Sequence, residues 1–144
     1  MTSQPDPNEI NRQIIAEFRA NAGSVGGMLE GVDMLLLHTV GAKSGAPRVN
    51  PLRYRQLTDD GGAPWAVFGS GGGTSHPAWV HNLLANSDTT VELGAETIEV
   101  RARIAAGEER ERIWSAQKAG EPMFAEFERA AGHRTIPVVI LEQR

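Results

Sequence analysis

Met34-Leu35-Leu36-Leu37-His38-Thr39-Val40, then Gly41-Ala42-Lys43-Ser44-Gly45-Ala46-Pro47, then Arg48 onward to Leu57, is the stretch that decides the fold. Its first part is a short apolar run suited to a buried strand, and Gly41 ends it. Its last part reads extended, so two strands flank a short loop. Further on, Asp59-Asp60-Gly61-Gly62 signals a turn and Pro64 to Phe68 makes a third strand. Gly69-Ser70-Gly71-Gly72-Gly73 is too rich in glycine for regular structure, because each glycine loses much backbone entropy on ordering. Pro77 to Ala85 reads as a short helix. Thr89 to Leu93 and Thr97 to Ile104 flank Gly94-Ala95-Glu96 as a hairpin. Gly107 to Lys118 is a charged helix carrying Ile113 and Trp114, a second helical piece covers Pro122 to Arg129, and Ile136 to Leu141 closes the chain as an apolar strand.

Upstream of the deciding stretch, Asn8 to Ala20 reads as a helix with Asp6 as cap, Pro7 at its first position and Glu9 completing a capping box. Ile10, Ile14 and Phe18 recur every fourth residue and give one apolar stripe, and Gly23, Gly26 and Gly27 stop the helix. Such a helix can pack on the domain, cover the mouth of a site or lie on a membrane surface. Hairpins between strands outnumber crossovers, which disfavours a doubly wound sheet. The expected class is α+β, a closed or split antiparallel barrel with peripheral helices, in which closure disposes of edge strands. Residues 1–30 form an N-terminal helical segment and residues 31–144 the barrel, in one domain overall.

The chain has 144 residues, 40% hydrophobic and 22% charged, an ordinary globular composition for a single core. Its net charge of -4 argues against nucleic acid as a partner. There are no cysteines, which removes disulfides, thiolate metal sites and Cys nucleophiles. The apolar run at Met34 is far too short to span a bilayer and the N-terminus is polar, so a cytoplasmic protein is expected.

The loop Gly41-Ala42-Lys43-Ser44-Gly45 shares ingredients with a P-loop but is not one: Ala42 precedes Lys43, and an extended segment follows. What remains are means of holding an anion, namely N–H groups freed by glycines, the Lys43 ammonium, the Ser44 hydroxyl and the Arg48 guanidinium. The same residues would equally make an exposed turn with two solvated cations. On a strand, Arg48, Asn50, Leu52 and Tyr54 share one face. The glycine tract is either a surface turn or a backbone brought close to a flat ligand. His76-Pro77-Ala78-Trp79 opens a helix, with Asn82 one turn beyond Trp79; alone, Trp79 reads as core. His38, His76, His81 and His133 show no metal-ligand spacing, and His76 and His81 should diverge on a helix, so no metal is expected.

In order and spacing, Gly41 to Leu52, Ser70-Gly71-Gly72, His76-Pro77-Ala78-Trp79, Asn82-Leu83, Asn86 and Arg134-Thr135-Ile136-Pro137-Val138-Val139 resemble the deazaflavin-dependent nitroreductase family. The resemblance covers nearly everything from Met34 onward. It implies a split β-barrel of the pyridoxamine-phosphate-oxidase, FMN-binding type that holds coenzyme F420, a 5-deazaflavin with a phosphate and an oligoglutamate tail. By position, Lys43, Ser44 and Arg48 would hold the phosphate and the acidic tail. The coenzyme cradle would comprise Arg48, Val49, Asn50, Pro51, Leu52 and Arg53, then Phe68, Gly69, Ser70 and Gly71, then Ala78, Trp79 and Asn82.

A 5-deazaflavin carries carbon where a flavin has its reactive ring nitrogen, so it passes a hydride. The implied reaction is hydride transfer to an electron-poor acceptor: a conjugated enone or lactone, a quinone or a nitroaromatic. The nitroimidazole-reducing relatives carry tyrosines that line the substrate pocket; here Phe124 and Phe127 stand at the matching positions, and Tyr54 is the only tyrosine. A small, flat, largely apolar substrate fits that change. The proton would come from water, Ser70 or Tyr54, the last two being the candidate catalytic residues. Two other readings stay open: an FMN-binding oxidoreductase of the same fold, and a non-catalytic deazaflavin-binding protein. Membrane contact of the N-terminal helix and a homodimer are compatible with the sequence.

Overall fold

β1 (Met34–Val40) is buried on both faces, which is why its sequence is continuously apolar and does not alternate. Leu35 and Leu37 point to one cluster and Met34 and Leu36 to another. The computed structural model describes residues 7–27, 30–60, 62–71 and 75–144. Over them the order is α1 (Pro7–Ala20), β1, β2 (Pro47–Arg53), β3 (Arg55–Gln56), β4 (Trp65–Phe68), α2 (Ala78–Ala85), β5 (Asp88–Leu93), β6 (Glu96–Ile104), α3 (Gly107–Gly120), α4 (Met123–Ala130) and β7 (Val138–Gln143). The cap residue Asp6 and the tract glycines Gly61, Gly72 and Gly73 lie outside the described residues.

These strands form one antiparallel sheet in the order β2-β1-β5-β6-β7-β4-β3. Its two edges, β2 and β3, are consecutive in the chain and separated by Tyr54 alone, so the sheet has to curl until its edges meet. That curl is the split barrel. It also corrects the expectation of one unbroken strand from Arg48 to Leu57. Residues 47–53 pair with β1, whereas residues 55–56 pair with β4, and a straight strand cannot lie along both. At the break, the Tyr54 N–H donates to the Asp33 carbonyl at 3.1 Å.

Inside the barrel, Leu35, Leu37, Trp65, Val67, Val139 and Leu141 pack with Trp79, Val80 and Leu83 of α2. On the far side of β4 and β7, Ala66, Phe68, Val138 and Ile140 pack against Trp114 of α3 and Phe124 of α4. α1 uses its apolar stripe to cover Met34, Leu36 and Val49; Phe18 is 1% exposed, Ile14 and Ile15 are half-buried, and Ile10 remains exposed. The stripe read from the sequence thus docks on the barrel. No helix among the described residues is long and apolar enough to cross a membrane.

Candidate functional site

β1 and β2 form a hairpin from Met34 opposite Arg53 to Val40 opposite Pro47, and the Lys43-Ser44 loop is its tip. Gly41 leaves room for the Ser44 side chain: a Cβ there would lie 2.5 Å from the Ser44 hydroxyl oxygen and force it to turn away. Gly45 takes φ +70, a left-handed value that glycine adopts at little cost. The N–H groups of Gly41, Ala42, Gly45 and Ala46 are spent inside the turn or on its support, whereas those of Lys43 and Ser44 have no partner among the described residues. The Asn82 side chain is engaged inside the fold. It is 7% exposed, its carbonyl oxygen accepts from the Ala42 N–H at 2.9 Å, and its amide donates to Thr39 Oγ1 at 3.1 Å. Asn82 therefore bolts the hairpin to α2, which fixes where Lys43 and Ser44 project.

β2 is an edge strand, blunted by Pro47 and Pro51, and its outer side pairs with no other strand among the described residues. α1 lies over it. Between the two runs a groove with two chambers that share Asn11. One, of about 450 Å³, is bordered by Asn11, Arg12 and Ile15 of α1 and by Pro47, Arg48, Val49 and Asn50. The other, of about 310 Å³, is bordered by Asn11, Ile14, Met34, Pro51, Leu52, Arg53, Phe68, Ser70, Gly71, Trp79, Phe124 and Phe127. Three segments read as a cradle thus meet at one apolar chamber, together with both phenylalanines read as a substrate wall. Phe124 and Phe127 pack edge to face at 5.1 Å, but Phe124 is 2% exposed and belongs largely to the core, leaving Phe127 as the freer wall.

The glycine tract divides. A Cβ on Gly69 would lie 3.0 Å from both Pro137 and Val80, so Gly69 is a packing glycine. A Cβ on Gly71 would meet nothing within 4 Å; Gly71 borders the chamber and leaves its backbone approachable. Arg134 holds the tract from behind, donating to the Gly69 carbonyl at 2.8 Å and the Gly71 carbonyl at 3.2 Å. The same guanidinium lies 2.9 Å from His76 Nδ1. Arginine can only donate, so that nitrogen is the unprotonated one. Burial first, then the positive charges of Arg134 and His81, lower the His76 pKa, which keeps the ring neutral. His76 and His81 do not diverge: their rings lie 5.9 Å apart, because His76 precedes the helix and escapes its geometry.

Among the other site candidates, Ser70 borders the apolar chamber, while Tyr54 borders a separate cavity of about 590 Å³ with Asp33 and Gly94. Burial, aided by Asp33, raises the Tyr54 pKa and keeps its hydroxyl protonated. Ala78 is exposed at the helix start and borders neither chamber. Among the described residues, Arg53 is the one ionisable residue of the apolar chamber. It is held by Glu121 at 2.5 Å, which accepts in turn from the buried Gln117 amide at 3.0 Å. Sequence reasoning missed three contributors. Ile14 carried only a periodicity, which names a buried face but not the surface it meets, and Asn11 carried no signal at all. Arg134 stood in the quoted motif, yet its partners lie far away along the chain.

The family model for F420H(2)-dependent quinone reductase matches residues 10–143. The chain is 33% identical over 132 residues to the F420H(2)-dependent quinone reductase Rv1261c of Mycobacterium tuberculosis, covering 90% of this chain and 87% of that one. Among solved structures, an F420-H2 dependent reductase, FDR-A, superposes with a TM-score of 0.65 at 35% identity, over 76% of this chain and 94% of that one. A structure described as a domain-swapped dimer superposes with a TM-score of 0.68 at 30% identity, over 95% and 100% of the two chains.

Proposed function

The chain belongs to the F420H(2)-dependent quinone reductase family, and on that premise we propose that it holds reduced coenzyme F420 along β2 and passes its hydride to a small, flat, quinone-like acceptor. The observation that carries this reading is the groove under α1. One strand leads from a chamber bordered by Arg48 to a chamber walled by Pro51, Leu52, Trp79, Phe68 and Phe127. Seven residues of strand span roughly 20 Å, enough to lay a flat ring at one end and a charged tail at the other. Among the described residues no carboxylate borders either chamber, and the outer edge of β2 and the Gly71 backbone are approachable; the donor set fits a ligand that is apolar at one end and anionic at the other.

When bound, the coenzyme supplies a two-electron hydride donation from its ring carbon. The chain has to orient, exclude water and stabilise charge. Pro51, Leu52 and Trp79 confine a flat ring, and Phe68, Phe124 and Phe127 keep the acceptor's surroundings dry. The Arg53 guanidinium and the Ser70 hydroxyl are donors at the chamber wall, suited to the negative charge that an acceptor oxygen takes up. Ser70, set in place by Arg134, is the residue we assign to the proton; Tyr54 lies in the neighbouring cavity. Without hydroxyls on Phe124 and Phe127, the wall favours quinones over nitroaromatics. The dimeric relative supports a homodimer, and the absence of any apolar bilayer-length helix among the described residues agrees with a cytoplasmic enzyme.

The test is single-turnover mixing of the protein and reduced F420 with a benzoquinone or naphthoquinone, following the return of the oxidised coenzyme's absorbance. Enzyme-dependent oxidation is expected. Tight coenzyme binding with no oxidation by any quinone or enone would leave a storage protein, and the enzymatic reading would fall.

A further inference from the structure

We propose that Arg12 of α1 is an anchor for the acidic tail of the coenzyme, so that the helix reads tail charge and separates tailed from tail-less deazaflavins. The inference rests on the groove being the F420 site. Arg12 and Arg48 border the same chamber, one from the helix and one from the strand, accompanied by Asn11 and Asn50. Among the described residues, no carboxylate borders that chamber. Elsewhere the cations are engaged: Arg19 on Glu92, Arg53 on Glu121, Arg101 on Asp88, Arg103 on Glu109, Lys118 on Glu128. Among the described residues, Arg12, Lys43, Arg48 and Arg112 have no hydrogen bond or salt bridge within the chain; Arg12 and Arg48 border the chamber, and Lys43 sits in the hairpin tip that leads into β2.

A chain of net charge -4 that leaves Arg12 and Arg48 unneutralised on one chamber has set up a positive field there. A guanidinium fork on each bank of the chamber suits phosphate and carboxylate oxygens. α1 is anchored at its C-terminal end. Phe18 is buried beneath it, and Arg19 donates to both oxygens of Glu92 at 3.0 and 2.7 Å. Arg12 is exposed, so its replacement disturbs no core packing.

The experiment is a fluorescence titration of wild type, Arg12→Gln and Arg12→Glu with coenzyme F420 and, in parallel, with the tail-less deazaflavin riboside. In Arg12→Gln the affinity for F420 should fall about fivefold, as one solvent-exposed ionic contact warrants, and in Arg12→Glu further, with the riboside unchanged in both. Added salt should weaken F420 binding to wild type more than to Arg12→Gln. Unchanged F420 affinity in both variants would overturn the proposal while leaving the F420 site intact. Equal losses for F420 and the riboside would overturn it too, since Arg12 would then act through helix packing, which melting curves of the variants would register. Wild type that fails to bind F420 would sink the site and this inference together.

Discussion

The two halves of β2 are built on opposite plans. From Pro47 to Asn50 the strand lies beside exposed cations that no described residue pairs with. From Pro51 to Arg53 it faces aromatic walls, and its one cation is already paired with Glu121. The first plan supplies attraction to an anion and tolerates imprecision, because Coulomb forces act at a distance and water screens them. The second supplies position, because close packing tolerates displacements of only a fraction of an ångström. A single strand thereby separates affinity from orientation, and each can be broken without the other.

The largest effect should come from removing charge. Replacing Lys43 and Arg48 together by Ala should weaken coenzyme F420 binding by about 2–4 kcal/mol, the usual worth of two charge-assisted contacts, and leave the rate at saturation nearly unchanged. An unaltered titration curve would return the hairpin tip to an exposed turn. Next in size, Ser70→Phe should cost on the order of a hundredfold in kcat/KM by displacing the ring from its place against Pro51 and Trp79. Full activity in that variant would remove the glycine tract from the site.

A smaller effect follows from the support behind the tract. Arg134→Ala deprives the Gly69 and Gly71 carbonyls of their donor, and should lower unfolding stability by about 1–3 kcal/mol together with kcat, while tail binding holds. Denaturant unfolding and steady-state kinetics on one preparation check both halves of that expectation. The smallest effect is set by pH. Hydrogen bonds from Arg19 chiefly, and from His38, hold the Glu92 carboxyl below its ordinary value of 4.5. Above that ordinary value the carboxyl is ionised in both folded and unfolded chains, and the pairing stabilises α1 in full. As pH falls through the lower folded value the stabilisation is lost. The melting temperature should therefore drop on acidification, and Glu92→Gln should lose that part of the dependence; identical pH profiles would show that the pair does not secure the helix.

Much of this was legible in the sequence, and the parts that were not share a cause. The order of elements along the chain followed from local patterns: the apolar run at β1, the turn at Gly94 and Pro77 at the start of α2. The break at Tyr54 was not legible, because it arises where one strand must serve two partners, β1 and β4, far apart along the chain. Asn82 carried the right position in the motif, yet its role depends on Ala42 and Thr39, which only the folded hairpin brings to it. The meeting of His76 and His81 escaped for a simpler reason: helical spacing was applied to a residue that precedes the helix. Lys43 and Arg48 could be picked out by residue type and the phenylalanines by the family resemblance, whereas Arg12, Asn11 and Arg134 became site residues only through packing.

The account stands or falls on one titration. Purified protein, followed by fluorescence, should bind coenzyme F420 at micromolar or lower concentration and FMN much more weakly, because FMN offers the cationic chamber one phosphate and no carboxylate tail. Preference for FMN, or binding of neither, would contradict the assignment of the groove under α1 to a tailed deazaflavin.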